Sequence, residues 1–316
     1  MYLYYHCSNS ARYPNKIVEL FIQPACVNIL VSYLRRVFAT LLGETELVFS
    51  RLTSEEFQEK LEAATWKWWF YLIFVLIQCI PSYASKGYDP RKMGEVIGII
   101  LQNAIISSLE MWYPLFKIIP ITLVVLMVLR RRGVARWFNI YVGVSYVLFA
   151  FLQHVAITEE YGFSIVISNL IMLLVVAAFW FWDVFAQKND FVPMEQPMWK
   201  YWVIIPLAFL AFWYPLNPDT FMPDFNPVYL FTNAAGLTFY MMTPVYLAIL
   251  LLHYPRINIA TLRVTGLAGI IIAFYNVFLN FFMYPELLWW NGVLHIPLLM
   301  ISGHALSLKK ENVSRN

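Results

Sequence analysis

Apolar residues in this chain gather into long blocks separated by short clusters of charge, proline and glycine. The blocks approach the roughly 20 residues that a helix needs to cross the hydrocarbon layer of a bilayer. Nine fit that description, at residues 66–83, 94–109, 114–129, 137–156, 163–185, 201–216, 228–252, 264–284 and 287–306. The second and third are short, and only the turn at 110–114 parts them, so one broken or re-entrant element is the alternative to two spans there. Ahead of the blocks, Val27, Leu30, Val31, Leu34, Val37, Phe38, Leu41 and Leu42 recur at three- and four-residue steps. That spacing predicts an amphipathic helix, lying in the headgroup plane with Arg35 and Arg36 toward phosphates or packed on the spans. Thr53 with Glu56 three residues on has capping-box spacing, so a further helix is expected to start near Ser54 and run through Lys60.

The expected fold is therefore an all-α integral membrane protein, a polytopic helical bundle of about nine transmembrane helices. Its organisation reads as an N-terminal amphipathic, interfacial segment (1–64), the bundle (65–307) and a short basic tail (308–316). Composition supports the class: 60% of residues are hydrophobic and 13% charged, against about one quarter charged in a soluble domain. A net charge of +3 is too small to imply a nucleic-acid partner. Cys7, Cys26 and Cys79 share no metal-binding spacing and leave an odd residue, so neither a disulfide framework nor a zinc site is read. Glu19 and Pro24 interrupt the first apolar stretch, which does not resemble a signal peptide.

With nine alternating spans, fourteen Lys and Arg fall on one side and one, Lys117, on the other. The first set holds Lys86, Arg91, Lys92, Arg130, Arg131, Arg132, Arg136, Lys188, Lys200, Arg256, Arg263, Lys309, Lys310 and Arg315. Cytoplasmic loops retain such residues, which predicts a cytoplasmic C-terminus. Trp112, Trp213, Trp289 and Trp290 then mark outer helix ends, and Trp137, Trp199 and Trp202 inner ones. Tyr-Pro pairs recur at positions 113, 214, 254 and 284, and the string Trp-Tyr-Pro-Leu occurs at 112 and 213, as a repeat or as ordinary helix ends. Short loops without an Asn-x-Ser/Thr acceptor on the predicted outer side point to a prokaryotic plasma membrane.

Ionisable residues are missing from the middle of the last six blocks, which argues against a carboxylate-based proton pump. No lysine sits mid-helix near the C-terminus to hold retinal. The polarity of these blocks is amide and imidazole. Asn276 and Asn280 share a helix face, and Asn291, His295 and Ser302 another. With Asn233 they predict a substrate-binding set, Asn233, Asn276, Asn280, Asn291 and His295, lining an outward-facing intramembrane cavity. The bland reading is interhelical hydrogen bonding that glues the bundle. His154 with Glu159 and Glu160 forms a second candidate, an acid–base group, but no paired-His or His-Glu-x-x-His spacing accompanies it. No cofactor and no metal is expected, and the absence of a phosphate-binding Gly-Lys-Ser/Thr loop removes an ATP-driven engine. The Pro-rich stretch 216–227, with Asp219 and Asp224, reads as a stiff connector or a gate.

Three functions fit these features. The first is an ATP-independent transporter or permease-like protein that binds a small polar or amphipathic molecule. The second is a membrane-embedded enzyme on a lipid or isoprenoid substrate, and the third a noncatalytic subunit of a membrane complex. Expected partners are membrane lipids, a small-molecule or lipid substrate, and other chains in a homo- or hetero-oligomer.

Overall fold

A computed structural model describes residues 55–129, 133–191 and 202–308. The amphipathic segment at 27–42, Arg130–132, Trp199, Lys200, Cys7, Cys26 and the basic tail from Lys309 lie outside the described residues. Met1–Glu59 and Lys60–Asn316 form separate compact units. The described part of the first is the opening of α1 (Glu55–Thr65), where Glu55 and Glu56 favour the positive helix N-terminus.

In the second unit, α2 (Trp68–Gln78) stops shortly before Pro81, which cannot continue a helix. A three-residue turn, its Arg91 N–H accepted by the Asp89 carboxylate at 3.0 Å, leads into α3 (Met93–Gln102). A 3-10 stretch (Ile105–Trp112) follows and runs into α4 (Tyr113–Val128), with Pro114 in its first turn. Gly133, at φ 78°, adopts the left-handed turn that starts α5 (Val134–His154). Next come α6 (Ile167–Ala186), α7 (Ile204–Trp213), the single turn α8 (Tyr229–Thr232) and a second 3-10 stretch (Ala234–Leu237). The chain ends with α9 (Phe239–Leu252), α10 (Ile259–Phe278), which continues as a π turn (Leu279–Met283), and α11 (Pro285–Ser307).

Among the described residues, four helices are long and apolar enough to cross a membrane: Ile105–Val128, Val134–His154, Ile167–Ala186 and Ile259–Met283. A fifth arises if Tyr229–Leu237 and Phe239–Leu252, bent by 94°, count as one broken span. The all-α class and a multi-pass reading thus have four or five such helices behind them among the described residues, where the sequence pattern predicts nine. The remaining blocks form the 11-residue α2, the 10-residue α3 and α7, and α11, which is long but carries Asn291, His295 and His304. Exposed apolar side chains cover the outside: Leu72, Val75 and Leu76 on α2, Phe151 on α5, Phe209 on α7, and Phe274, Phe278 and Phe282 on α10 and its π turn. Apolar surface on that scale suits lipid contact far better than water.

The core lies between α5, α6, α9 and α10. Phe138 and Tyr146 of α5, Trp180 of α6 and Tyr246 of α9 interlock edge to face with ring centroids 5.9–6.4 Å apart. Glycines let α10 and α11 close on each other: a Cβ on Gly269 would collide with the Ser302 hydroxyl, and one on Gly266 would press on Ala305.

A small antiparallel sheet, absent from the sequence expectation, caps one end of this bundle. β1 (Tyr83–Ala84) pairs with β3 (Gly162–Ile165), which pairs with β2 (Val155–Thr158), in the register Tyr83 to Ile165 and Val155 to Ile165. Ala104 bridges to Ala156 at the same end. Both ends of α3 therefore lie at the sheet end, and α3 does not traverse the bundle. Lys86 Nζ donates to the Glu159 carbonyl, so the basic loop with Lys86, Arg91 and Lys92 sits beside Glu159 and Glu160. This overturns the expected alternation, which placed those two loops on opposite sides. Strand pairing outweighs the charge pattern here because it ties loop to loop through backbone hydrogen bonds.

The opposite end is held by two buried polar knots. Arg263, in the second turn of α10, donates through Nε to the Thr65 carbonyl at 3.3 Å, through one terminal nitrogen to the Leu306 carbonyl at 3.3 Å, and through the other to the Tyr71 hydroxyl. Its guanidinium also lies 3.6 Å from the Trp66 ring centroid. Asp183, near the end of α6, accepts from Asn139 Nδ2 (2.6 Å), Asn258 Nδ2 (2.7 Å) and the Lys188 N–H (3.3 Å), joining α5, α6 and the cap of α10.

Candidate functional site

Irregular backbone concentrates at the sheet end, where α7, α9, α10 and α11 meet. α7 terminates at Tyr214 in the left-handed conformation (φ 52°), which turns the tyrosine ring back toward α11. The Tyr214 hydroxyl donates to Asn291 Oδ1 at 2.9 Å, and Asn291 Nδ2 donates to Asn280 Oδ1 at 3.0 Å. Asn280 is set by the π turn, a local widening found often at functional positions. Its Nδ2 donates to the Asn276 carbonyl at 2.7 Å, and Asn276 Nδ2 returns to the Ile272 carbonyl at 2.9 Å.

His295 lies one turn beyond Asn291 on α11 and is 1% exposed. Its Nδ1 is 2.7 Å from the Asn291 carbonyl, which can only accept, so Nδ1 carries the proton and Nε2 presents a lone pair. That Nε2 is buried without a hydrogen-bond partner, and the Tyr240 ring lies against the imidazole at a centroid distance of 4.8 Å. A buried acceptor left open in a bundle this well paired calls for a ligand or a water. The Ser302 hydroxyl, two turns further along α11, is likewise buried and unpartnered.

Asn233 occupies the break in the bent pair. Its Nδ2 donates to the carbonyls of Trp213 (2.8 Å) and Tyr214 (3.1 Å), and its Oδ1 accepts from the Ala235 N–H (3.1 Å). Across the same break, Gln153 Oε1 accepts the Phe239 N–H at 2.9 Å and caps α9. Gly236 is required there, because a Cβ would stand 2.8 Å from the Phe116 carbonyl oxygen of α4. All five predicted substrate-binding residues therefore belong to one hydrogen-bonded system that runs through Tyr214. Asn233 and Asn276 spend their amides on nearby carbonyls, whereas Asn280 and His295 are buried and the half-buried Asn291 joins Asn280 to Tyr214 between helices.

The second predicted set does not converge. His154 is buried at the end of α5 with Nδ1 3.1 Å from the Phe149 carbonyl, while Glu159 and Glu160 are exposed at the hairpin turn. The four-residue strand β2, about 13 Å long, intervenes. Among the described residues no hydrogen bond or ion pair joins His154 to either glutamate, and no cluster of three His, Cys, Asp or Glu could hold a metal. His295 is buried and His304 exposed, so these two do not meet either. In the 216–227 connector, Asp224 Oδ2 accepts from the Tyr229 hydroxyl at 2.8 Å, and the Pro215 carbonyl accepts from Trp290 Nε1 at 2.7 Å. The residue that leads into the connector is thus tied to α11.

Tyr214, Tyr240 and Lys117 are the residues that sequence reasoning missed. Lys117, one turn into α4 and completely buried, donates through Nζ to the Phe212 carbonyl at the end of α7 and lies 4.3 Å from the Phe212 ring centroid. The recurring Trp-Tyr-Pro-Leu string was a usable signal, since its tyrosines, Tyr113 and Tyr214, both lie at this end. The two copies differ in role: Tyr113 opens α4, whereas Tyr214 closes α7. Comparison with protein-family models, characterised proteins and solved structures finds no match to this chain.

Proposed function

We propose that the protein binds a small polar or amphipathic molecule at the sheet end of its bundle and passes it across the membrane without ATP, as a transporter or permease does. The observation that carries this reading is the open, buried Nε2 of His295 at the meeting point of interrupted helices. The 94° break ahead of α9, the left-handed end of α7 and the π turn of α10 all flank it. Interrupted helices expose backbone groups that lipid cannot satisfy, and secondary transporters place substrate at such breaks.

In this reading eight segments cross: α4, α5, α6, the broken α8–α9 pair, α10 and α11, and the short α2 and α7, which at 11 and 10 helical residues cross only together with the non-helical residues that flank them. The 94–109 block stays at the outer surface with the sheet. Lys67 and the Lys and Arg of 130–136, 188–200, 256–263 and 309–315 then lie on the cytoplasmic side, twelve against the four outer residues Lys86, Arg91, Lys92 and Lys117. The C-terminus is cytoplasmic, and the membrane is a prokaryotic plasma membrane.

The test is uptake of a mixed pool of small polar solutes into proteoliposomes, read by mass spectrometry, with lipid products analysed on the same sample. Accumulation of a solute beyond protein-free liposomes supports transport. A new lipid product without accumulation replaces it with the enzyme reading, and a null in both refutes both.

A further inference from the structure

Lys117 has no role in the site so far, and its setting is unusual. An ammonium buried within a membrane-spanning helix is costly, and such residues face a partner charge or a substrate path. Here the side chain is 0% exposed, and among the described residues no carboxylate forms an ion pair with it. One N–H goes to the Phe212 carbonyl, and the Phe212 ring covers part of the head. The end of α7 offers only about half a negative charge. When protonated, the amine has two further N–H groups and, among the described residues, no counter-ion.

The location gives that charge a use. Lys117 lies where α4 abuts the break of the bent span, since Gly236 packs directly on the Phe116–Lys117 backbone. Tyr240, whose ring lies on His295, stands in the first turn of α9 directly after the same break. The break is thus flanked by a cation on α4 and by a lone-pair acceptor on α11.

Resting on the transport reading above, we infer that the molecule bound at this site is a small organic carboxylate, with Lys117 as its counter-charge and His295 Nε2 as acceptor for a donor elsewhere on the molecule. A single buried cation matches a carboxylate monoanion. A phosphate monoester brings nearly two charges, and the other cations described at this end, Lys86, Arg91 and Lys92, are exposed.

Purified full-length protein in nanodiscs is tested with three probes of one shape and different charge: benzoate, benzamide and benzylamine. Equilibrium dialysis at millimolar concentration reads binding. Benzoate is expected to bind at least roughly tenfold more tightly than the other two, and Lys117→Met to lose at least roughly tenfold of that affinity while Lys117→Arg keeps it. Without ligand, Lys117→Met is expected to melt no lower than the parent, because it buries no charge. A Lys117→Met protein that melts well below the parent yet binds benzoate normally assigns Lys117 to capping α7 and overturns the inference. Benzamide or benzylamine binding that His295→Leu abolishes and Lys117→Met leaves intact overturns the carboxylate assignment and leaves the site reading standing. Absence of benzoate binding overturns the inference as well, and indifference of all three probes to His295→Leu removes the site reading itself.

Discussion

Replacing Asp183 with alanine removes the acceptor on which one end of the bundle is organised. Asn139 Nδ2 and Asn258 Nδ2 donate to this carboxylate from the buried interior, and the part-buried Lys188 N–H joins them. The two amides cannot turn away to find other acceptors. Asn139 Oδ1 is held by Asn189 Nδ2 at 3.0 Å, and Asn258 Oδ1 accepts the Thr261 N–H at 3.2 Å. Asn189 is fixed in turn, its Oδ1 accepting the Asn258 N–H at 2.8 Å. Each orphaned buried donor costs about 1–3 kcal/mol, so losing the acceptor of the two buried amides should make Asp183→Ala destabilising by roughly 2–6 kcal/mol. Asp183→Asn keeps the shape but turns one acceptor edge into a donor, leaving one or two donors facing each other. It also removes a buried charge that no cation neutralises, so its cost should be smaller, about 1–3 kcal/mol. Reversible unfolding in mixed micelles, followed by tryptophan fluorescence, reads both variants. An alanine variant within about 1 kcal/mol of the parent, or an asparagine variant as damaged as the alanine one, would refute the network's role.

Other outcomes follow from the same contacts. Arg263→Gln should cost about 2–4 kcal/mol in that unfolding assay, because it strips donors from the Thr65 and Leu306 carbonyls together with the stacking on Trp66; a neutral result would mean the clamp carries no stability. Gly236→Ala should destabilise by roughly 1–3 kcal/mol, since its Cβ would meet the α4 backbone, which has no flexible end to yield. With Cys7, Cys26 and Cys79 all changed to Ser, single cysteines at Lys86 and Glu160 should react with an impermeant maleimide from one side of a sealed vesicle and a cysteine at Lys188 from the other. Opposite labelling of positions 86 and 160 would restore the alternation of nine spans.

The long helices were legible because nothing interrupts them: α5, α6 and α10 each hold 20 or 21 consecutive helical residues. The hairpin at 155–165 was not, because Val155, Ala156 and Ile157 continue the apolar block of α5 without a change in hydropathy. The β-branched Val155 and Ile157 and the following Gly162 were the available signs. The 94–109 block misled for a related reason. Its apolar content reports burial against the sheet end, and composition does not distinguish that from lipid contact. In the site, Asn276, Asn280, Asn291 and His295 were readable from four-residue spacing, which helical geometry converts directly into a shared face. Tyr214 was hidden, since its bond to Asn291 joins residues 77 apart and depends on a left-handed helix end. Lys117 stands out in the sequence only as the single cation on the predicted outer side, and only the packing of α7 and the 3-10 break around it buries the head.

The central claim is that the sheet end of the bundle takes a solute through His295, and uptake into proteoliposomes reconstituted with parent and His295→Leu protein tests it most directly. The account predicts ATP-independent accumulation of a polar solute by the parent. It also predicts at least a roughly tenfold loss in the variant, against a loss of only about 1 kcal/mol in stability from the Nδ1 bond to the Asn291 carbonyl, since among the described residues no protein group is bonded to Nε2. Equal uptake by both proteins, or a variant that loses stability in proportion to activity, would contradict it.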